Sequence, residues 1–290
     1  MSFFASFLPT KSFENSASGS DNEGTEVLSQ SSDEETCSRL KDHLRSLLNH
    51  HHGSTKEQDV IDVIENLSAL SPYKKHSHEW LELFMGEFFA ETSPNFPSRL
   101  PPAHEGDKRV QYTLGKLSFN TFHPNNLVCT LLGVRNAVAP NPDGTFTYDL
   151  ICDIVVHLAE GEDIEAEICN ESYCCKDDES DRIHVFFSGS KLSPAPSVLE
   201  NDCKMSLWCN TFNEATLKTA EAKRTYFGWF MDQALKRMLG MNVRVDESNS
   251  FRLEFKKAIR GHFDVLYLDE EMRITKGNRG TLVVMERIIS

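Results

Sequence analysis

The spacing of apolar positions changes near residue 86. Before it they recur every three to four residues; after it they alternate. Leu40, Leu44, Leu47 and Leu48 share one helical face, which predicts a helix over 33–51, stopped by Gly53. Ser54 and Glu57 have the spacing of a capping box, in which each side chain satisfies the other's free backbone N–H. A second helix follows, with Val60, Ile61, Ile64, Leu67 and Leu70 on one face and Pro72 after its end. The short connection predicts an antiparallel pair over 33–70.

Beyond residue 86 the period is two. In 146–158, Phe146, Tyr148, Leu150, Cys152, Ile154, Val156 and Leu158 form an unbroken apolar row, while Thr147, Asp149, Asp153 and His157 lie opposite. This is the pattern of a half-buried antiparallel strand. Further strands are predicted at 86–92, 110–119, 127–138, 163–172, 182–188, 203–209, 241–246, 251–256, 262–269, 271–276 and 281–288. Turn signals separate them at 141–144, 193–196 and 247–250. Many short strands predict closure into a barrel over 86–290, which removes exposed sheet edges. One segment departs from alternation. Residues 213–239 carry Phe227, Phe230, Met231, Ala234, Leu235, Met238 and Leu239 on one helical stripe, with Gly240 at the C′ position. A helix this late in a strand series is placed to cap a barrel mouth, with weaker, reversible membrane contact as an added role. The fold class is therefore mainly β with helices.

Charge is unevenly placed. The net charge is −14 over 290 residues, but residues 1–36 hold seven acids against one Lys, and residues 160–181 ten acids against one Lys. The rest is close to neutral, which disfavours a basic nucleic-acid face. Residues 14–35 are Ser- and acid-rich without periodicity, and 1–32 are expected to be disordered, leaving 33–290 as a single domain. The first residues make a poor secretory signal. The eight cysteines form no CxxC pair, consistent with reduced thiols in an intracellular protein.

Catalytic motifs are lacking: there is no GxSxG, P-loop or HExxH, and 187–191, "FSGSK", is too short for a phosphate loop. His50, His51 and His52 with His76 and His78 read as a solvated turn rather than a metal site. Cys169, Cys174 and Cys175 read as small packed thiols. The expectation is no metal and no cofactor. The chain is instead rich in Phe, with 19 of them. Phe119, Phe122, Phe146, Tyr148, Phe187, Trp208, Phe227 and Phe230 are candidates to line an apolar ligand site, with core packing as the plainer role for each. An enzymatic alternative would use His123, His157 or His184, yet His157 lies on the polar face of its strand.

The C-terminal stretch 267–287, "YLDEEMRITKGNRGTLVVMER", resembles the signature of the plastid lipid-associated protein (fibrillin) family. Tyr267, Leu268, Asp269, Arg273, Ile274, Gly277, Gly280 and Val283 fall on it. The helix pair resembles the paired helices before the family's barrel, and 86–100, "GEFFAETSPNFPSRL", stands where the family has a Gly-x-Trp strand, with Phe88 in place of Trp. The link before Tyr267 is shortened and the 213–239 helix is longer than the family's pattern. Locally, Gly277 and Gly280 are expected to permit positive φ in the terminal turn, and Arg273 to pair with Asp269 or Glu271. The resemblance implies a non-enzymatic, lipocalin-like barrel that binds apolar lipid or isoprenoid cargo at plastid membranes or lipid globules. A filled barrel serving protein interaction is the alternative function, and the cytoplasm the alternative compartment.

Overall fold

The computed structural model describes residues 26–73, 75, 77–94, 96, 98–101, 109–118, 122, 124–158, 161–177, 180, 182–212, 242–245 and 249–289. Three helices come first: α1 (Glu26–His50), α2 (Gln58–Ala69) and α3 (His78–Phe84). The helix pair is as the sequence predicts, except that α1 begins at Glu26 rather than Asp33. The Ser54–Glu57 box does not form: Glu57 is the N-cap of α2 and its side chain makes no cap bond. Ser54 Oγ instead accepts from the neighbouring Lys56 N–H. Helix α3 was not legible in the alternation.

The strands are β1 (Gly86–Ala90), β2 (Val110–Thr113), β3 (Val128–Val138), β4 (Phe146–Thr147), β5 (Asp149–His157), β6 (Asp163–Asn170), β7 (Ser172–Lys176), β8 (Arg182–Pro194), β9 (Asn242–Val245), β10 (Phe251–Leu268), β11 (Met272–Gly277) and β12 (Leu282–Arg287). All belong to one 12-stranded sheet. Following neighbours from β8 through β6, β5, β3, β1, β12, β11 and β10 leads back to β8, because β10 also pairs with β8. The sheet is therefore ring-like and antiparallel throughout. Two edges are shared: β1 and β2 divide one edge of β3, on either side of a register shift at Leu131/Gly133, and β6 and β7 divide one edge of β8.

Three sequence expectations need correction here. Residues 203–209 are helical, within α6 (Asp202–Thr211), not a strand. Their alternation is accidental, since the Asn201 side chain caps the Cys203 and Lys204 N–H groups and Trp208 and Phe212, one turn apart, bury the same face. Residues 110–119 are only partly a strand: after Thr113 the chain turns into α4 (Leu114–Leu117), which buries Leu114 and Leu117. The two strands expected at 251–256 and 262–269 are one, β10, interrupted by a register shift between Glu254 and Ile259. The helix expected over 213–239 lies outside the described residues, as do residues 1–25.

Three clusters divide the core. One end of the ring interior packs Cys129, Ile154, Val156, Ile164, Ile168, Leu192 and Phe251 beneath α4, α5 (Pro196–Leu199) and α6. The other end packs Tyr148, Ile183, Val185, Phe263, Val265 and Met285 around α3. Outside the ring, α1 and α2 cover Tyr267, Met272, Ile274 and Val284.

The Tyr-Leu-Asp motif locks that outer layer. Asp269 is buried at the β10–β11 turn, and its Oδ1 accepts from the Glu271 and Met272 N–H groups at 2.8 and 2.7 Å. Its Oδ2 accepts from Tyr267 Oη at 2.6 Å and from Lys41 Nζ of α1 at 2.8 Å. Lys41 also reaches Glu271 at 2.7 Å. Burial alone would raise the Asp269 carboxyl. The hydrogen bonds from Lys41, Tyr267 and two backbone amides outweigh it and hold the group below its ordinary 3.8. A lowered folded-state pKa contributes stability above the unfolded value, and that stability is lost as pH falls through the folded value. Asp269→Asn should therefore cost about 2 kcal/mol in urea unfolding at pH 7, because it leaves Lys41 paired with the exposed Glu271 alone and replaces a charge-assisted acceptor of the Lys41 and Tyr267 donors. The gap between the variant and the parent should close as pH falls below about 4. A loss that is the same at pH 7 and pH 3 would contradict the charged role.

Candidate functional site

The register decides which side chains enter the ring. Leu268 pairs with Arg273, Arg273 with Met285, and Met285 with Ala90. Phe88 pairs with Arg287 on one side and with Asn136 on the other. These share the inward face, so Arg273 points into the ring, opposite to its strand neighbours Met272 and Ile274. It is 0% exposed. The expectation that it pairs with Asp269 or Glu271 is therefore wrong: those acids face α1, across the sheet.

Among the described residues no carboxylate meets Arg273. Nη2 donates to Asn136 Oδ1 and approaches Met285 Sδ at 3.1 Å, while Nη1 reaches the Phe84 carbonyl at 3.5 Å. Asn136 is oriented by its own Nδ2 bond to the Asp149 carbonyl at 3.0 Å. The Arg273 Nε is buried without a hydrogen-bond partner. Aromatic faces supply the remaining compensation: the guanidinium carbon lies 4.1 Å from the Phe88 ring centre, 5.4 Å from Phe84 and 5.7 Å from Tyr148. Burial, reinforced by the Arg287 cation, lowers the Arg273 pKa from its ordinary value. Burial likewise raises the Tyr148 phenol, and it raises the adjacent Cys174 thiol to about 12.

Arg287 also lies over the Phe88 ring, 4.5 Å from its centre. It donates to the Leu83 and Met85 carbonyls, the latter at 2.8 Å, and to Glu270 O at 2.8 Å. The C-terminal carbonyls of α3 are thus held by two arginines, the charge that suits a helix C-terminus. Ser77 caps the other end by accepting from the Trp80 N–H at 3.2 Å. Between these ends Trp80 and Phe84 stack at 5.1 Å, and Phe84 continues onto Tyr148 and Phe263 at 6.3 and 6.4 Å. Helix α3 fills this end of the ring with its own aromatics.

The expected lining residues separate. Tyr148 is buried at the α3 end, with Phe146 and Phe187 half-buried beside it. Phe122 and Trp208 are buried at the other end; Trp208 sits 4.4 Å from the Phe212 ring, and its Nε1 donates to Asn249 O at 2.9 Å. Phe119, Phe227, Phe230 and His123 lie outside the described residues. Of the terminal motif, Tyr267, Asp269 and Ile274 serve the outer layer, and Leu268 and Arg273 the interior. Gly280 adopts the left-handed φ of +76° that the turn needs, whereas Gly277 is not among the positive-φ glycines. Gly277 instead closes the turn: its carbonyl accepts from the Gly280 N–H and its N–H donates to the Thr281 carbonyl.

Two other features lie outside the ring. A groove of about 420 Å³ opens where β1 and β2 divide the β3 edge, lined by Phe89, Leu131, Leu132, Gly133, Glu91 and His52 among others. At Gly133 an added Cβ would lie 2.5 Å from the Phe89 ring, which would have to shift. Burial, with the Glu286 carboxylate adding to it, raises the Glu91 carboxyl above its ordinary 4.5. The second feature is a polar row on the outer face. Asp163 Oδ1 and Thr130 Oγ1 each lie 2.7 Å from a His157 ring nitrogen, and Gln111 Nε2 donates to Thr130 at 3.2 Å. His184 is elsewhere on the outer face, 3.2 Å from Asp177.

The PAP_fibrillin family model matches residues 200–286. The match supports membership in the PAP/fibrillin family. It starts just before α6 and runs through β9, β10 and β11 into β12, and so includes the Tyr-Leu-Asp motif and Arg273. No curated protein and no solved structure matches the chain.

The ring geometry carries a stability prediction. Asn136→Leu removes the best acceptor of a buried cation and should cost about 3 kcal/mol in denaturant unfolding. Adding Arg273→Met should recover most of that loss, because both polar partners are then replaced by apolar groups. A double variant as unstable as the sum of its singles would show that the two side chains are uncoupled.

Proposed function

We propose that this PAP/fibrillin-family protein binds an apolar lipid or isoprenoid-type ligand, without catalysis, inside a lipocalin-like barrel formed by the ring. Plastid membranes or lipid globules are its proposed place of action, by family. The observation that carries the reading is the inward face of the closed ring at the α3 end. Apart from Arg273 and Asn136 it is apolar and aromatic, and it is filled by a short helix rather than by the sheet itself. Trp80 and Phe84 occupy the volume that a ligand tail would take. A non-catalytic role is supported by the position of the His157 row, whose Thr130 is buried and whose His157 faces outward, away from the ring interior. A reversible contact with the membrane surface fits the same cargo.

A second reading is a filled ring that serves protein interaction. The tight packing of Trp80, Phe84 and Tyr148 favours it. The two are separated by titrating the neutral fluorescent probe N-phenyl-1-naphthylamine into the full chain and into Phe84→Ala. Apolar binding predicts saturable fluorescence enhancement with the parent. It also predicts binding about tenfold tighter with Phe84→Ala, the equivalent of about 1.4 kcal/mol of plug displacement removed. Saturation by neither protein would favour the filled ring.

A further inference from the structure

The buried arginine has a consequence for the kind of ligand, and it rests on the apolar-binding reading above. A guanidinium presents five donors. Inside the ring Arg273 meets a side-chain amide oxygen, a thioether, one main-chain carbonyl at 3.5 Å and three aromatic faces, and its Nε has no acceptor. Buried cations are otherwise paired with acids. The most distant of its acceptors, the Phe84 carbonyl, belongs to α3, as does the Phe84 ring beside it. Helix α3 is one short helix, anchored by its Ser77 cap, by Arg287 and by the packing of Trp80 and Phe84. Moving it outward would remove from one place both the aromatic fill and a stand-in acceptor, and would turn Arg273 toward the vacated space.

We infer that the α3 end of the ring is a site for an amphiphile with an anionic oxygen head, a carboxylate or a phosphate, in which the head pairs with Arg273 and the apolar tail replaces Trp80 and Phe84. The head takes over the Phe84 carbonyl's role and satisfies Nε; the guanidinium fork suits planar or tetrahedral oxyanions. Asn136 and Phe88 hold the guanidinium in place and are positioning residues. The outer groove is a poor competitor for such a head. Its lining includes Glu91 and neither Lys nor Arg.

The test is displacement of N-phenyl-1-naphthylamine from the full chain by oleate, farnesyl phosphate and oleyl alcohol. The inference expects oleate or farnesyl phosphate, or both, to compete at least tenfold better than oleyl alcohol, and the better of the two names the head. Arg273→Met should abolish that preference while oleyl alcohol still binds. Should that variant fail to fold, Arg273→Met combined with Asn136→Leu serves instead: in it anions and alcohol should compete equally, and a preference for the anion as large as the parent's would overturn the inference. Equal competition by alcohol and anions in the parent would overturn the role of Arg273 and leave apolar binding intact. Failure of all three to compete would overturn both.

Discussion

Burying the Arg273 guanidinium with no acid beside it among the described residues is the constraint around which this end of the ring is built. Taking a cation out of water costs several kcal/mol even after relaxation, and Coulombic pairing is the usual compensation. Here the compensation is distributed. Asn136 supplies the one good acceptor, the faces of Phe88, Phe84 and Tyr148 present their negative quadrupoles, and the carboxyl end of α3 directs carbonyls inward. Each of these groups is also a packing element. Phe88, lying against Arg273 and Arg287, joins the first strand of the ring to the last two. Its place in the Gly-x-Phe sequence explains why a large aromatic is needed at that position. Its ring must sit against two cations.

The same arrangement explains the chain's division of labour. The terminal hairpin β11–β12 is buried on both faces, so alternate residues serve two different cores. Tyr267, Ile274 and Val284 hold the helix pair outside; Leu268, Arg273 and Met285 hold α3 inside. Asp269, at the turn between them, fixes Lys41 and the β10–β11 connection with one carboxylate. Loss of the hairpin would therefore release both layers together.

Much of the fold could be read from residue spacing. The row from Phe146 to Val156 is a strand region with the alternation the sequence shows, broken only at Tyr148. The helix pair was visible in its leucines and isoleucines. What misled was local. Residues 203–209 alternate apolar and polar, yet the Asn201 cap, which alternation does not register, turns them into a helix. Helix α3 has seven residues, too few to show a period. The site was less legible than the fold. Proximity in sequence suggested that Arg273 pairs with Asp269 or Glu271, but a turn reverses which face each residue takes. One signal was available: Met272 and Ile274 flank Arg273, and a strand with both apolar neighbours buried on one side leaves Arg273 only the other, which in a closed sheet is the interior. The partners of that interior position, Asn136 and Phe84, lie far away in sequence and could come only from the register.

The most direct test of the unpaired buried guanidinium is hydrogen exchange at arginine Nε–H groups, followed by NMR with the Arg273 signal assigned through Arg273→Lys. A buried Nε–H without an acceptor should exchange with solvent far more slowly than those of exposed arginines such as Arg182 and Arg252. Its proton resonance should also lie at the unbonded end of the arginine range. Exchange as fast as at those two exposed residues would contradict the account, since Arg273 would then be in contact with water and not enclosed in the ring.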